Sequence, residues 1–454
     1  MGLKDLIQKY STAGPRYTSY PTAPQFTEKL DSIAYRKDLQ KNGLSNVKPL
    51  SLYAHIPFCE NLCYYCGCNI LITKDHGRGA SYVESLLGEL RTVAGLLGER
   101  RVLSQIAWGG GTPTFLSVDE ITRLQKGTLE LFRLTEDAEV SIEIDPRVTS
   151  HEQLERLREL GFNRVSLGVQ DFHPEVQQAV NRVQTAEMTA SMLSFCRKIG
   201  YRGINFDFIY GLPFQTLERF ERTVDQILEQ RPDRIALYNY AHLPSLRPHQ
   251  KILEKYPMPS ADERVDIFLM AYERLTTAGY RAIGMDHFAL ADDDLAKAIS
   301  TGALYRNFMG YTVQRAEDMI GIGASAIGEI GNGYFQNIRE TKPYQDAIEK
   351  TGLATLRGCQ ATEEDLKRKW VIQRLMCKFQ LSYIEYEAKF GDNFSSHFSW
   401  ELERLAPFFE QGILESSPHE IRVSDLGRLF IRNVAMLFDE YLRKPQAATY
   451  SRTV

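Results

Sequence analysis

Seven cysteines occur in 454 residues, and four of them, Cys59, Cys63, Cys66 and Cys68, fall within ten consecutive positions. Thiols this close in sequence make a poor disulfide framework and a good ligand set for a soft metal centre. A four-cysteine zinc site and an electron-transfer iron–sulfur cluster each use four thiolates. The gap of three residues and then two between the first three thiols counts against both. It favours a [4Fe-4S] cluster held by Cys59, Cys63 and Cys66, with one iron left open to a ligand. Cys68 is then a fourth thiol that reaches the substrate cavity or packs beneath the loop.

A second signal follows, Trp108-Gly-Gly-Gly-Thr-Pro113. Consecutive glycines let backbone groups approach a ligand closely, although taken alone they make an ordinary turn. Behind the cysteine loop, with Tyr64 and Tyr65 beside its third ligand, the run reads as the glycine motif of radical S-adenosylmethionine (SAM) enzymes, in which SAM chelates the open iron. Polar residues then recur at the ends of later apolar runs: Glu143 and Asp145, Gln170 and Asp171, and Asp207. Each carboxylate alone could cap a helix or pair with a neighbour. Together they suit a lined active-site mouth.

Residues of this kind need strands to carry them. From 51 to 241, short β-rich runs alternate with segments of helical period, the mark of parallel strands with crossover helices. The runs are Ser51 to Pro57, Gln105 to Trp108, Glu139 to Ile144, Arg164 to Val169, Ile204 to Tyr210 and Arg234 to Tyr240. Between them, Val83, Leu86, Leu87, Leu90, Val93 and Leu97 share one helix face. Ser150-His-Glu-Gln153 is a capping box before Leu154, Leu157 and Leu160, with Gly161 as the stop. A (β/α) barrel and a doubly wound sheet share this rhythm, but motifs at the C-terminal ends of strands favour the barrel.

Four segments are expected. Residues 1–50 are an arm and lead-in, with Gly14-Pro-Arg-Tyr-Thr-Ser-Tyr-Pro21 extended and too short and polar for a core role. Residues 51–245 are the barrel and 246–360 an extension of it. Residues 361–454 form a small helical, winged-helix-like domain: helices near 362–390 and 396–411, a hairpin, and a last helix near 425–442. A formal net charge of −4 gives no basic surplus for nucleic acid. The polar N-terminus has no secretory h-region and no apolar run reaches bilayer length, so a cytoplasmic protein without membrane contact is expected.

With these residues assembled, the chain resembles the oxygen-independent coproporphyrinogen III oxidase family. The resemblance rests on Gly14 to Thr22, His55-Ile-Pro-Phe-Cys59, Cys68, Trp108 to Thr114, Gly168-Val-Gln-Asp-Phe172, Asp207 to Pro213, Tyr240-Ala-His-Leu-Pro244, Gly284-Met-Asp-His-Phe288 and Arg306-Asn-Phe. It implies an α/β fold with a partial (β/α)6 radical SAM barrel, a [4Fe-4S] cluster and two SAM molecules side by side. Tyr53, Gly110, Glu143 and Ile327 would contact the first SAM. Tyr65, Gly111, Thr112, Gln170, Arg182, Asp207 and Ala241 would contact the second, Arg182 through the methionine carboxylate.

The implied reaction is oxidative decarboxylation of two propionates of coproporphyrinogen III to vinyl groups. A deoxyadenosyl radical takes a β-hydrogen, and loss of CO2 and one electron completes each alkene. The partners implied are that tetrapyrrole, a one-electron donor and a terminal electron acceptor, on a monomer. Arg16, Tyr17 and Tyr20 of the arm, Cys68, Phe308 and Met309 are the residues expected at the substrate. The family usually has glutamine where this chain has Met309, and Ser245 to Gln250 and Gly328 to Gly333 also depart from its pattern.

Two related activities compete, a radical SAM haem chaperone and an anaerobic haem-degrading methyltransferase. Cys68 and the arm favour the oxidase over the chaperone. Cys196, Cys359 and Cys377, isolated in segments read as helical, are expected to be small buried hydrophobes. His55 and His287, among apolar neighbours, are expected to be satisfied structural histidines.

Anaerobically reconstituted protein should hold about four irons and four sulfides. Cys59→Ser, Cys63→Ser or Cys66→Ser should abolish them, and Cys68→Ser should retain them, as read by iron analysis and the visible spectrum. Equal iron loss in Cys68→Ser would defeat the three-thiolate reading.

Overall fold

The computed structural model describes residues 2–45, 47–314, 316–443 and 450–453. Its parallel strands are β1 (Leu50–Ile56), β2 (Val102–Gly110), β3 (Arg133–Ile144), β4 (Arg164–Gln170), β5 (Gly203–Tyr210) and β6 (Arg234–Asn239), each paired with the next. The register sets Tyr53 beside Ala107, Trp108 beside Ile142, Glu143 beside Ser166 and Asp207 beside Ala236. All six C-terminal ends therefore open on one side, where loops carry chemistry in barrels of this kind.

Six further strands continue the same sheet: β7 (Tyr280–Gly284), β8 (His287–Leu290), β9 (Asp318–Ile322), β10 (Ile327–Ile330), β11 (Gly333–Asn337) and β12 (Thr355–Gln360). The order is β12-β11-β10-β9-β1-β2-β3-β4-β5-β6-β8-β7. β9 runs parallel to β1, a seventh parallel strand beyond the six read from residues 51–241, and β8 runs antiparallel to β6. Among the described residues the two edge strands do not pair, so the barrel is open.

The crossover helices follow their signals. Gly77–Leu97 buries the stripe from Val83 to Leu97. In the helix His151–Glu159, Ser150 Oγ accepts from Gln153 N while Gln153 Oε1 accepts from Ser150 N, at 3.1 and 2.9 Å. Gly161, at φ +96°, turns the chain back towards β4.

The C-terminal region departs from its expected helices. Residues 362–390 are not one helix: Glu363–Gln373 passes into a π-turn at Arg374–Lys378, and Phe379 stands at φ +53°. The left-handed residue breaks the helix, and Gln380–Ser382 joins a three-stranded sheet with Glu420–Val423 and Leu414–Ser417 before Tyr383–Phe390 resumes. Residues 396–411 divide into short helices at Phe394–His397, Ser399–Arg404 and Ala406–Glu410. The segment 425–442 runs as 3-10 helix, α-helix Ile431–Leu437 and 3-10 helix again. Cys359 lies on β12 and not on a helix, because residues 355–360 complete the sheet edge against β11. Among the described residues no helix is long and apolar enough to cross a membrane.

The arm also departs from its expectation. Tyr17 and Tyr20 are 5% and 1% exposed and belong to the same buried cluster as the barrel and the C-terminal helices. Arg432, 1% exposed, explains the fit: its guanidinium donates to the carbonyls of Gly14, Pro15 (3.1 Å) and Arg452 (2.7 Å). Tyr17 OH donates to Asp439 Oδ2 at 3.0 Å, and Glu440 N donates to Tyr20 OH at 3.1 Å. Tyr17 and Tyr20 are thus structural anchors of the arm, away from the active-site mouth. A short segment has a core role when another element supplies partners for its backbone.

Burial raises the Asp439 carboxyl from 3.8 to about 6, only partly offset by the Tyr17 hydrogen bond. The folded state favours the protonated form, so this group's contribution is best below the unfolded value and is lost as pH rises from about 4 to 6. Asp439→Asn should flatten that stretch of the stability curve. It should raise stability at pH 7 by up to about 3 kcal/mol, two units at 1.36 kcal/mol each. Thermal melts from pH 4 to 7 measure it, and parallel curves for the two proteins would refute it.

Candidate active site

The loop that leaves β1 carries the cysteines and has almost no ladder of its own. Phe58–Cys59 pairs briefly with Leu71–Ile72, and Cys66 N donates to Cys63 O at 3.0 Å. Five further carbonyls are met by side chains from elsewhere. Asn181 Nδ2 donates to Leu62 O (2.8 Å), Gln250 Nε2 to Tyr65 O (2.9 Å) and Arg247 Nη2 to Gly67 O (2.6 Å). His249 Nε2 lies 2.8 Å from Cys66 O, and His55 Nε2 lies 2.9 Å from Asn69 O. With the loop so held, Cys59, Cys63, Cys66 and Cys68 line one cavity of about 600 Å³.

The glycine run is required by packing. A Cβ on Gly110, at φ +113°, would meet the His55 ring at 2.5 Å, and one on Gly111 would meet the Pro57 and Phe58 backbone at 2.7 Å. Both glycines let the end of β2 lie against the base of the cysteine loop. There Gly111 N donates to Ile56 O and Thr112 N to Phe58 O, each at 2.8 Å. Thr112 Oγ1 is 3.5 Å from Cys59 Sγ.

Charge is arranged around the thiols. Arg147 Nη2 and Arg182 Nη1 lie 3.5 and 3.7 Å from Cys63 Sγ, and both arginines also pair with Asp145. Burial would raise the Asp145 carboxyl, but these two cations hold it below its ordinary range. A hydrogen bond from Cys68 brings the Cys66 thiol down to about 7, while burial pushes Cys59 up to about 12. Glu143 is enclosed by the barrel although its carboxyl faces the open cavity. Burial pushes it up to about 7, against a hydrogen bond from Gly110 N at 3.0 Å. Burial raises Asp207 as well, with Ser166 Oγ donating to it at 2.8 Å.

An inner cavity of about 260 Å³ adjoins the first and shares Glu143, Ser166, Asp207 and Tyr238 with it. Tyr53, Phe308, Met309 and His287 line it. Burial lowers His287 to about 3, so its imidazole is neutral. Contrary to expectation it is not a satisfied histidine, since its Nδ1 has no hydrogen-bond partner among the described residues.

Of the residues expected at SAM, Gly110, Glu143, Tyr65, Gly111, Thr112, Gln170, Arg182, Asp207 and Ala241 all line the large cavity. Tyr53 lines the inner one, and Ile327, at the start of β10, lines neither. Asp171 does not join the other strand-end polar groups. Its carboxylate accepts from His173 N, Gln215 Nε2 and Thr223 Oγ1, where it braces the turn after β4. Arg16 is ion-paired to Asp286 and lies over the Tyr238 ring, so it stands behind the cavity wall.

Arg147, Arg247, His249 and Gln250 sit in no local motif, and the one sequence signal near the last three is the departure of Ser245 to Gln250 from the family pattern.

Among the described residues no three His, Cys, Asp or Glu side chains converge on one point. Thiolates of a cluster each take a different iron, so the fit rests on other observations. Four thiols share one void beside two arginines, and the buried Nε of Arg182, in the wall of that void, lacks an acceptor. A [4Fe-4S] cluster and a carboxylate-bearing ligand fit these residues.

Residues 53–227 match the family model of the radical SAM superfamily. The oxygen-independent coproporphyrinogen III oxidase of Salmonella typhimurium is 45% identical over 450 residues, 99% of this chain and 98% of that protein. The Pseudomonas aeruginosa protein of that name is 44% identical over 455 residues, again covering 99% and 98%. A solved structure of coproporphyrinogen III oxidase from Escherichia coli, a radical SAM enzyme, is similar at TM-score 0.90 and 43% identity, covering 94% of this chain and 97% of that one.

The Gln250 side chain, 1% exposed, donates to Tyr65 O and Ala241 O and accepts from Leu243 N. Gln250→Leu should strand these groups at about 1–3 kcal/mol each when they stay dry. Cys66 of the metal-free protein should then be alkylated several-fold faster, as followed by peptide mass spectrometry, with buried Cys196 unchanged. Equal rates at Cys66 would show that the loop does not depend on Gln250.

Proposed function

The chain belongs to the oxygen-independent coproporphyrinogen III oxidase family of the radical SAM superfamily. From that premise we propose that it decarboxylates two propionates of coproporphyrinogen III to vinyl groups, giving protoporphyrinogen IX for haem synthesis, with a [4Fe-4S] cluster and SAM. The observation that carries the reading is the one cavity in which four thiols meet the glycine run and the strand-end groups Glu143, Gln170, Arg182 and Asp207.

Cys59, Cys63 and Cys66 would hold the cluster, and Cys68 would face the substrate from the same wall. The bound cluster and SAM together supply reductive cleavage of SAM and hence the hydrogen abstraction that begins each decarboxylation. The protein's own part is charge and position. Arg147 and Arg182 stand against the negative thiolates, sharing one carboxylate between them. Glu143 and Asp207 offer acceptors to cationic and hydroxyl groups of SAM, and burial makes their ionised forms favour such a ligand.

Two SAM molecules suit the division of the lining, with Gly110 and Glu143 serving one. Tyr65, Gly111, Thr112, Gln170, Arg182, Asp207 and Ala241 would serve the other. Gln170 supports this, because it adopts φ +72°, a costly conformation for a residue with a side chain. Phe308 and Met309 border the inner cavity, where they form an apolar patch in a lining that also holds Glu143, Asp207 and His287, at the edge of the space proposed for the substrate. The setting proposed is the cytoplasm, where thiolates stay reduced, as a monomer served by a one-electron donor and a terminal electron acceptor.

Anaerobic incubation with coproporphyrinogen III, SAM and a reductant, followed by oxidation and chromatography, should yield a tripropionate intermediate and then protoporphyrin. SAM binding to the cluster-loaded protein should approach two equivalents, and Arg182→Ala should reduce it to one. Coproporphyrin returned unchanged by cluster-loaded protein would overturn the assigned reaction.

A further inference from the structure

A second groove, of about 410 Å³, opens beside the reaction cavity, and Asn239, Tyr240, Ala241 and Leu243 line both. Its other walls are Ser11 to Ala13 of the arm, His242, whose Nε2 lies 3.2 Å from Glu254 Oε1, Arg264, and Tyr450 to Arg452 near the C-terminus. No carboxylate among the described residues lines it, and neither Arg264 nor Arg452 forms an ion pair among them. Arg452 is fixed in place, since its Nη1 donates to Ser11 O at 3.1 Å. Burial and then the nearby Arg452 charge hold Arg264 below its ordinary range, the mark of two cations kept close without a counter-ion.

The reading above supplies a matching ligand. Two of the four propionates react, and two persist in the product. The persistent carboxylates need fixed partners through both decarboxylations. Of the four arginines on the reaction-cavity wall, Arg147 and Arg182 pair with Asp145 and Arg182 is assigned to SAM, Arg247 holds Gly67 O, and Arg339 lies outside the groove. We propose, on the premise of that function, that the groove anchors the two unreactive propionates of the tetrapyrrole on Arg264 and Arg452. Guanidinium forks suit carboxylates, and a groove continuous with the cavity lets the macrocycle span both. The groove is assembled from the arm, the helix Ala261–Thr277 and residues 450–452, beside the C-terminal end of β6.

The test uses full-length, cluster-loaded protein and three porphyrins whose fluorescence reports binding. Coproporphyrin III carries four propionates, protoporphyrin IX carries the two persistent ones, and an alkyl porphyrin carries none. Arg264→Gln and Arg452→Gln should each weaken binding of the first two about tenfold, the cost of one charge-assisted contact. Arg264→Lys should restore part of the loss. The alkyl porphyrin, the iron content and the SAM affinity should not change.

Equal affinity of coproporphyrin III for wild type and the double variant would overturn the anchor while leaving the function standing. A loss that extends equally to the alkyl porphyrin would overturn it as well. So would a loss confined to SAM, whose own carboxylate would then be the groove's ligand. If the wild-type protein binds no propionate-bearing porphyrin, the assigned substrate falls and the anchor with it.

Discussion

The cysteine loop must turn its thiols into a void, and a backbone bent for that purpose pairs few of its own carbonyls. Each carbonyl left dry and unpaired would cost as much as a lost hydrogen bond. Here Asn181, Arg247, His249, Gln250 and His55 meet five of them. Much of the surrounding architecture follows from this need. The chain after β6 must return across the loop to bring residues 247 to 250 over Tyr65, Cys66 and Gly67. The end of β2 must approach closely enough for Gly111 N and Thr112 N to take the carbonyls of Ile56 and Phe58.

That close approach sets the electrostatics. With the loop pinned, Cys63 sits against Arg147 and Arg182, and Asp145 between the two arginines keeps their guanidinium groups in place. Two cations sharing one carboxylate leave positive charge beside the Cys63 sulfur. Deeper in the void, Glu143 and Asp207 have few cationic neighbours, and burial raises both. Their environments divide the wall into a part suited to anions and a part suited to cations. Such a division would suit a ligand that carries a carboxylate, an amino group and a sulfonium.

The open side of the barrel is built by distant parts of the chain. β9 to β12 extend the sheet beyond β1, while β7 and β8 extend it beyond β6. The arm is held to the C-terminal helices by Arg432, whose buried guanidinium takes backbone carbonyls from both ends of the chain. Removing that side chain would leave several acceptors dry, so arm and tail fold as one unit.

How much was legible in the sequence varied with how local the signal was. The six parallel strands and the stripe from Val83 to Leu97 follow from periodicity, because a run of side chains must show one face to the core whatever lies opposite. The thiol set and the glycine run were legible because ligand geometry and backbone approach demand particular residue types at short spacing. The same rules failed for Tyr17 and Tyr20, whose core role depends on Arg432, Asp439 and Glu440 some four hundred residues away. They failed for Asp171, whose carboxylate is taken up by His173 N, Gln215 and Thr223 at the turn after β4. They were silent on Arg247, His249 and Gln250, since a carbonyl's need for a donor leaves no trace in the donor's local sequence. The sequence by itself determined the chemistry available and the strands that carry it. Tertiary structure alone decided which polar side chains reach the void and which secure its walls, because those assignments depend on partners that only folding brings together.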